Sequence, residues 1–357
     1  MALLFGELKR ASATPISTSI ADTASGCVST ASVASDARTA TSKVNPTAVI
    51  MRGPDRSDSH PPSGAITIIV TTTPGTGIDL LARTVSQKLI ERWSTGVAVE
   101  NRFGASGNIG AEAVARATPD GYTLLMAPTT FLTNTTVNKG LSFDPVKSFT
   151  PVSLLATGTL AFVVSTTTPA NAVKEFVAMA KAKPNAFNYA STGNGSLQHL
   201  AFELFKQEAG IEVTHVPYKS NGPAYNDLVG NRVNTMITTI NSSVPYIKGG
   251  KMKLLAVLDN ERSPLHPAVP TMRESGFPGL NVNPWNAMMG PAGLPADVLR
   301  KLNGEVDAIL KLADVKDLLD KQGLDPVGGP PSRLGDLLRS EQQRWQKVVD
   351  TAGIKAD

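Results

Sequence analysis

The chain has 357 residues, 41% hydrophobic and 18% charged, with a net charge of +4; that length exceeds one compact core and points to two lobes. No run approaches the roughly 18–20 unbroken apolar residues of a membrane-spanning helix, and the positive charge is too dispersed, with aromatics at 5%, for a nucleic-acid groove. A single cysteine, Cys27, excludes an intramolecular disulfide, and the four histidines (His60, His199, His215, His266) show no i,i+3 or i,i+4 pair, so neither a metal nor another cofactor is expected.

Residues 1–63 carry Ala, Ser or Thr at 28 positions without apolar periodicity and end in the breakers Gly53-Pro54-Asp55 and His60-Pro61-Pro62. They read as a disordered or leader-like extension. No export signal is recognisable: Lys9 and Arg10 follow the short apolar start instead of preceding it, and the apolar h-region is missing. A misassigned start and an atypical leader both fit. Cys27, after Ala24-Ser25-Gly26, lacks the hydrophobic stretch of a lipoprotein signal and reads as an incidental thiol.

From residue 65 the pattern sharpens. Residues 66–70 form a β-branched run, as a buried parallel strand would. Ile78, Leu81, Ala82, Val85 and Leu89 then recur at helical spacing. Strands follow at 97–99 and 122–126, with a helix over 109–117 between them. A second series starts near Phe162: helices marked by Val173–Ala180 and Leu197–Phe205 positions, and strands at 187–190, 213–216, 233–240 and 254–258. Another extended segment lies near 285–289, and the tail is helical with no strands of its own. Strand–turn–helix repetition means parallel sheets flanked by helices. The expected organisation is an α/β fold of two lobes joined by a two-segment hinge: lobe one from 64–163 and 285–357, lobe two from 164–284. Hinge closure around a solute is the motion such an architecture performs.

Three polar, glycine-containing turns sit at strand-to-helix junctions: Thr73-Pro74-Gly75-Thr76-Gly77-Ile78-Asp79, Glu100-Asn101-Arg102-Phe103-Gly104-Ala105-Ser106-Gly107-Asn108, and Tyr189-Ala190-Ser191-Thr192-Gly193-Asn194-Gly195-Ser196. In parallel sheets such turns lie at the carboxyl ends of strands, where ligands bind. Each precedes a helix start whose unpaired N–H groups favour anions. None matches G-x-G-x-x-G or G-x-x-x-x-G-K-[ST], so a dinucleotide or nucleoside triphosphate is not supported. The run Gly104-Ala105-Ser106-Gly107 is not the G-x-S-x-G nucleophile elbow.

At these turns the chain resembles the substrate receptors of tripartite tricarboxylate transporters, the Bug receptors. The matching stretches include Pro74-Gly75-x-Gly77-x-Asp79-x-x-Ala82-Arg83, Val99-Glu100-Asn101-Arg102, Gly107-Asn108-Ile109-Gly110, Pro119-Asp120-Gly121-Tyr122-Thr123, His199-Leu200-Ala201, His215-Val216-Pro217-Tyr218-Lys219 and Gly222-Pro223-Ala224. The likeness spans roughly 65–355. It implies a periplasmic type II binding-protein fold and a periplasmic location. It also implies a small carboxylate gripped by amides and hydroxyls, delivered to membrane permease subunits or, in some cases, a sensor kinase. By the same resemblance the ligand contacts fall on Pro74, Gly75 and Asp79, on Ser106, Gly107 and Asn108, and on Ser191, Gly193 and Ser196, with Asp227 at the family's acidic position; Thr73, in the first turn, is a candidate beside them. Thr129, in the polar run after the third strand, is a further candidate, as is Asn241-Ser242-Ser243. The chain departs from the family where Phe103 stands for a common proline and Ser106 for a frequent glycine.

Alternatives accompany this reading. A hydrolase would use Ser191 or Ser196 as nucleophile with His199 as base; but Ser196 suits an N-cap, His199 lies off the core stripe as a polar cleft or surface residue, and no partner acid is evident. A third possibility is a ligand sensor independent of transport. Asp79 either holds a loop amide or accepts a ligand ammonium, and Phe131, Tyr218 and Trp285 either wall the cleft or pack between the lobes. The protein is expected to be a monomer.

Overall fold

The computed structural model describes residues 64–355, and the expected extension over 1–63 lies outside them. The first strand, β1 (Ile66–Val70), leads through a turn to α1 (Gly77–Trp93), whose stripe Ile78, Leu81, Ala82, Val85 and Leu89 is buried. Then come β2 (Val97–Asn101), α2 (Asn108–Ala115), β3 (Thr123–Pro128), α3 (Thr130–Val137) and β4 (Phe149–Gly158). The chain continues through β5 (Leu160–Ser165), α4 (Val173–Ala182), β6 (Asn188–Ser191), α5 (Leu197–Ala209), β7 (Thr214–Pro217), α6 (Asn221–Val229), β8 (Thr235–Thr239), α7 (Ile240–Lys248) and β9 (Met252–Val257). It closes with β10 (Trp285–Pro291), α8 (Ala296–Leu310), α9 (Ala313–Gln322), β11 (Leu324–Pro326) and α10 (Pro331–Ala352).

These strands form two mixed sheets, ordered β11-β4-β10-β3-β1-β2 and β7-β6-β8-β5-β9. Both repeat one plan. Three parallel strands lie in the order second-first-third, next comes an antiparallel strand arriving from the other lobe (β10 or β5), and then a fourth. Apolar layers cover the sheets. Ile66, Ile68 and Val70 pack with α1, α8 and α9, whereas Ile69, Leu125 and Ala127 share a cluster with Phe131, Phe162, Phe205 and Trp345 that runs through both lobes.

Two crossings join the lobes. The first is Thr159, between β4 and β5; the second enters β10 from Pro284. They run side by side: Gly158 N–H donates to Pro284 O at 2.8 Å, and Leu258 N–H donates to Leu160 O at 2.8 Å. Gly158 is closely packed: a Cβ there would stand 3.1 Å from Leu324 Cδ2 and 3.2 Å from Pro284 Cγ, so a side chain would require these neighbours to shift slightly. The indole N–H of Trp285 is held by the buried Glu341 of α10 at 2.9 Å.

Four differences from the sequence reading have physical causes. The tail does contain a strand: β11 pairs antiparallel with β4, Leu324 opposite Gly158. Three residues are too few to display a period of two, and Pro326 fits only because β11 is an edge. β4 went unseen because Pro151 interrupts it; a register shift between Met288 and Met289 accommodates that residue. α3 is built from weak helix formers, Thr-Phe-Leu-Thr-Asn-Thr-Thr-Val, and folds because Phe131, Leu132, Thr133, Thr136 and Val137 are buried. The strand expected to reach residue 240 ends at Thr239, where α7 begins.

Candidate functional site

The parallel strands of lobe one end at Val70, Asn101 and Pro128, and those of lobe two at Ser191, Pro217 and Thr239. The turns leaving these ends carry most of the expected ligand contacts. In the first, Thr73, Pro74 and Gly75 are exposed, and Gly75 takes φ +82°, a left-handed conformation that favours glycine. The turn is held from below. The Asp79 carboxylate accepts the Gly75 N–H at 2.8 Å, Arg83 Nε at 3.0 Å and Asn101 Nδ2 at 2.8 Å. Asn101 also donates to Thr72 O at 3.1 Å and accepts from Arg83 Nη2 at 3.0 Å, so one carboxamide ties the first turn to the second. Burial acts to raise the Asp79 carboxyl, but hydrogen bonds from Arg83, the Gly75 amide and Asn101 together keep it below the ordinary aspartate range. Of the two roles weighed for Asp79, the geometry shows the loop-holding one; the side chain is buried and its oxygens are engaged by protein donors.

The second turn is a run of left-handed backbone: Gly104, Ala105, Ser106 and Gly107 have φ of +116°, +46°, +57° and +91°. Two of these are not glycine, and a non-glycine residue there costs about 1–2 kcal/mol. Ser106 is exposed, while Gly107 lies against the first turn, where a Cβ would stand 2.9 Å from Thr71 Cβ. Asn108 opens α2, and its Oδ1 accepts Asn134 Nδ2 of α3 at 3.0 Å. α3 also meets lobe two: a Cβ on Gly195 would be 3.0 Å from Val137 Cγ2. The second turn and the lobe-two turn thus converge on one helix.

Thr129 is a correction. Its hydroxyl donates to Trp285 O at 3.1 Å and accepts the Trp285 N–H at 2.5 Å, and the residue is buried. The only hydroxyl proton is committed to the hinge strand, so Thr129 positions β10 and is not a free ligand donor.

In lobe two, Gly193 and Gly195 adopt φ +121° and +70°. Ser196 is the N-cap of α5, accepting the His199 N–H at 3.2 Å, as its position suggested. The buried Ser191 hydroxyl lies 2.7 Å from His215 Nε2 and bonds within the turn to Gly193. His199 corrects the sequence expectation. It is neither a surface nor a cleft residue but a buried one, its Nδ1 accepting the Gly195 N–H at 3.1 Å. Its ring stacks on His215 at 3.9 Å, His215 stacks on Tyr189 at 4.8 Å, and Tyr189 stacks on Phe202 at 3.8 Å. Tyr189 in turn donates to Glu203, and burial foremost, with that carboxylate beside it, pushes its phenol far up. The hydrolase pairing of Ser191 or Ser196 with His199 therefore does not exist: one serine caps a helix through a main-chain N–H, and the other meets His215.

Asp227 sits on α6, past its first turn, and accepts Tyr218 Oη at 2.7 Å and Arg232 Nη1 at 2.8 Å. Hydrogen bonds from Arg232 and then Tyr218 hold its carboxyl below the ordinary range; burial, then Asp227, push the Tyr218 phenol up to about 12. Asn241-Ser242-Ser243 opens α7, where Ser242 Oγ joins Tyr225, Thr238 and Thr239 in a hydroxyl cluster. Phe131 and Trp285 are buried in the shared core. Arg83, Asn101 and His215 hold the turns and were not singled out from the sequence as site residues. They stood inside the recognised motifs, but nothing in a motif says which side chain reaches which turn. Among the described residues, no three His, Cys, Asp or Glu side chains gather as metal ligands.

The model of the tripartite tricarboxylate transporter family receptor matches residues 81–354. The chain is 32% identical over 304 residues to Protein BugT of Bordetella pertussis, covering 85% of this chain and 93% of that one. Among solved structures it is similar to R. palustris Rpa4515 with adipate, at 34% identity and TM-score 0.68, covering 82% of this chain and 99% of that one. It is also similar to MatC from Rhodopseudomonas palustris with bound malate, at 30% identity and TM-score 0.66, covering 81% and 99%.

Proposed function

The chain belongs to the tripartite tricarboxylate transporter receptor family, a family of binding receptors and not of enzymes, and from that premise we propose that it is a periplasmic receptor that closes its two lobes around a small organic carboxylate and delivers it to the membrane subunits of such a transporter. The carrying observation is that glycine turns at the strand ends of both lobes converge on α3, through Asn108–Asn134 on one side and Gly195–Val137 on the other. Relatives bound to adipate and to malate support the carboxylate class.

Physically, the grip needs no arginine. Helix starts present main-chain N–H groups and a positive dipole end to an anion. A hydrogen bond to a charged group contributes roughly 1.5–3 kcal/mol, so four or five cover much of the ~8 kcal/mol of micromolar affinity. The exposed Thr73, Pro74, Gly75 and Ser106, with Gly107 and Asn108, form lobe one's half of the proposed contact. The turn from Ser191 through Gly193 to Ser196 forms the other half. Because the ligand touches both lobes only when they close, it stabilises the closed form by its differential affinity for it. Among the described residues no helix is long and apolar enough to cross a membrane.

A thermal-shift series on the full chain with adipate, malate, citrate, neutral sugars and nucleotides tests this. A carboxylate at about 100 times its dissociation constant should add roughly 2.7 kcal/mol of stability. Stabilisation by sugars or nucleotides, with none from any acid, overturns the proposal.

A further inference from the structure

Chain order assigns α10 to lobe one, and its first half packs there: a Cβ on Gly335 would stand 3.6 Å from Pro151 Cγ of β4. Its second half reaches lobe two. Val348 O accepts Gln207 Nε2 of α5 at 3.3 Å, and Trp345 and Val348 share an apolar cluster with Phe205, Leu280 and Val282. The buried stripe of α10 runs Leu334, Leu338, Glu341, Trp345, Val348, and so contains one carboxylate. Glu341 accepts the indole N–H of Trp285 at 2.9 Å and that of Trp345 at 3.4 Å, and burial foremost pushes its carboxyl up. Three residues on, Arg344 lays its guanidinium 4.6 Å over the Trp345 ring and donates from Nη2 to Asn281 O at 2.7 Å.

Asn281 and Trp285 stand at the two ends of the second crossing. The Asn281 end is fastened to lobe two, because Val282 N–H donates to Leu258 O at 3.1 Å, and Trp285 is the first residue of β10 in lobe one. One helical turn, 341–345, therefore grips the crossing from both sides. Placing a carboxylate and a guanidinium against an apolar seam carries a desolvation cost that apolar side chains would avoid. We propose that Arg344 is a positioning residue for lobe closure: by holding Asn281 O it splints the second crossing onto α10, so that lobe two swings about the 341–345 turn along one path. This rests on the lobe closure of the proposed function, and not on which acid is bound. Without Arg344 the lobe-one end stays held by Glu341 and the lobe-two end is released. The first crossing, a single residue, then no longer confines the motion. The turns of the two lobes meet less often, and apparent affinity falls with the fraction of competent molecules.

Spin labels at the exposed positions Lys181→Cys on α4 and Arg300→Cys on α8, in a Cys27→Ser background, test this by pulsed dipolar spectroscopy of the interlobe distance. Calorimetry with adipate, malate and citrate reads affinity. Wild type without ligand should give a narrow distance distribution. Arg344→Met, which keeps the apolar stem, and Arg344→Gln, too short to reach Asn281 O, should each broaden it about twofold and weaken acid binding about tenfold, with Tm within about 4 °C of wild type. Arg344→Lys, which keeps a charged donor, should restore the narrow distribution. Distributions as narrow in the Met and Gln variants as in wild type overturn the proposal. So does broadening that Arg344→Lys fails to relieve, or loss of the fold in both shortened variants, which would make Arg344 a folding residue. If saturating adipate, malate and citrate all leave the wild-type distance unchanged, the closure reading falls and takes the splint with it; a wild type that closes, beside variants of unchanged width, removes the splint alone.

Discussion

Lobe one and lobe two share one order over five strands, with β11 added at the edge of lobe one, yet they brace their ligand turns by different means. Lobe one uses charge: Asp79, Arg83 and Asn101 lace two turns together, and Asp79 is the hub. Lobe two uses stacked rings: Phe202, Tyr189, His215 and His199 form a column whose imidazoles hold Gly195 and Ser191. Topology decides where a turn leaves the sheet; it leaves open what immobilises it. A carboxylate hub lashes several main-chain donors at once but fails when protonated, whereas a ring column depends on packing and shape.

The contrast breaks most plainly at Asp79. Asp79→Ala strands the Gly75 N–H and removes the anchor of Asn101 and Arg83, so it should cost about 2–3 kcal/mol in urea unfolding and weaken acid binding more than the matching lobe-two change. Equal stability of variant and wild type would show that the network is ornamental.

Acid titration sharpens the same point. The folded Asp79 carboxyl lies below its ordinary value of 3.8, so its stabilisation is complete above the unfolded value and disappears as pH falls through the folded one. The gap in stability between wild type and Asp79→Asn should be constant near neutrality and close below about pH 4. A gap that does not narrow at all as pH falls below the ordinary aspartate range would mean that packing, not charge, supplies it.

In lobe two, His199→Leu keeps an apolar filler but loses the acceptor for Gly195. A loss of about 1–2 kcal/mol is expected, whereas His199→Asn, whose Oδ1 can stand in for Nδ1, should recover most of it. Equal losses in the two variants would assign the effect to the stacking alone.

The smallest effect is a gain. Ser106→Gly relieves a left-handed serine, φ +57°, and should raise stability by about 0.5–1 kcal/mol in the same urea assay. A loss would show that the serine hydroxyl holds the turn.

Much of this was readable from residue order. The run Ile66–Val70 and the stripe from Ile78 to Leu89 became β1 and the buried face of α1. Gly75, Gly104, Gly107, Gly193 and Gly195 take the positive φ that their type suggested, whereas Gly77 opens α1. Thr129 was misjudged because a threonine after a strand looks the same whether its hydroxyl faces a ligand or Trp285, 156 residues away. His199 was misjudged because a histidine off the apolar stripe reads as polar, and only ring neighbours from β6 and β7 make the site suitable for burial.

Local pattern determined most of the strands, most of the helices and the turn chemistry, because periodicity and φ preference act over a few neighbouring residues. Tertiary structure alone decided which donors remain unpaired. It made a helix of residues 130–137, and brought Gln322 against Gly77 and Asn241 against Gly323. Those outcomes depend on contacts between segments far apart in the chain, whose energies no single segment contains.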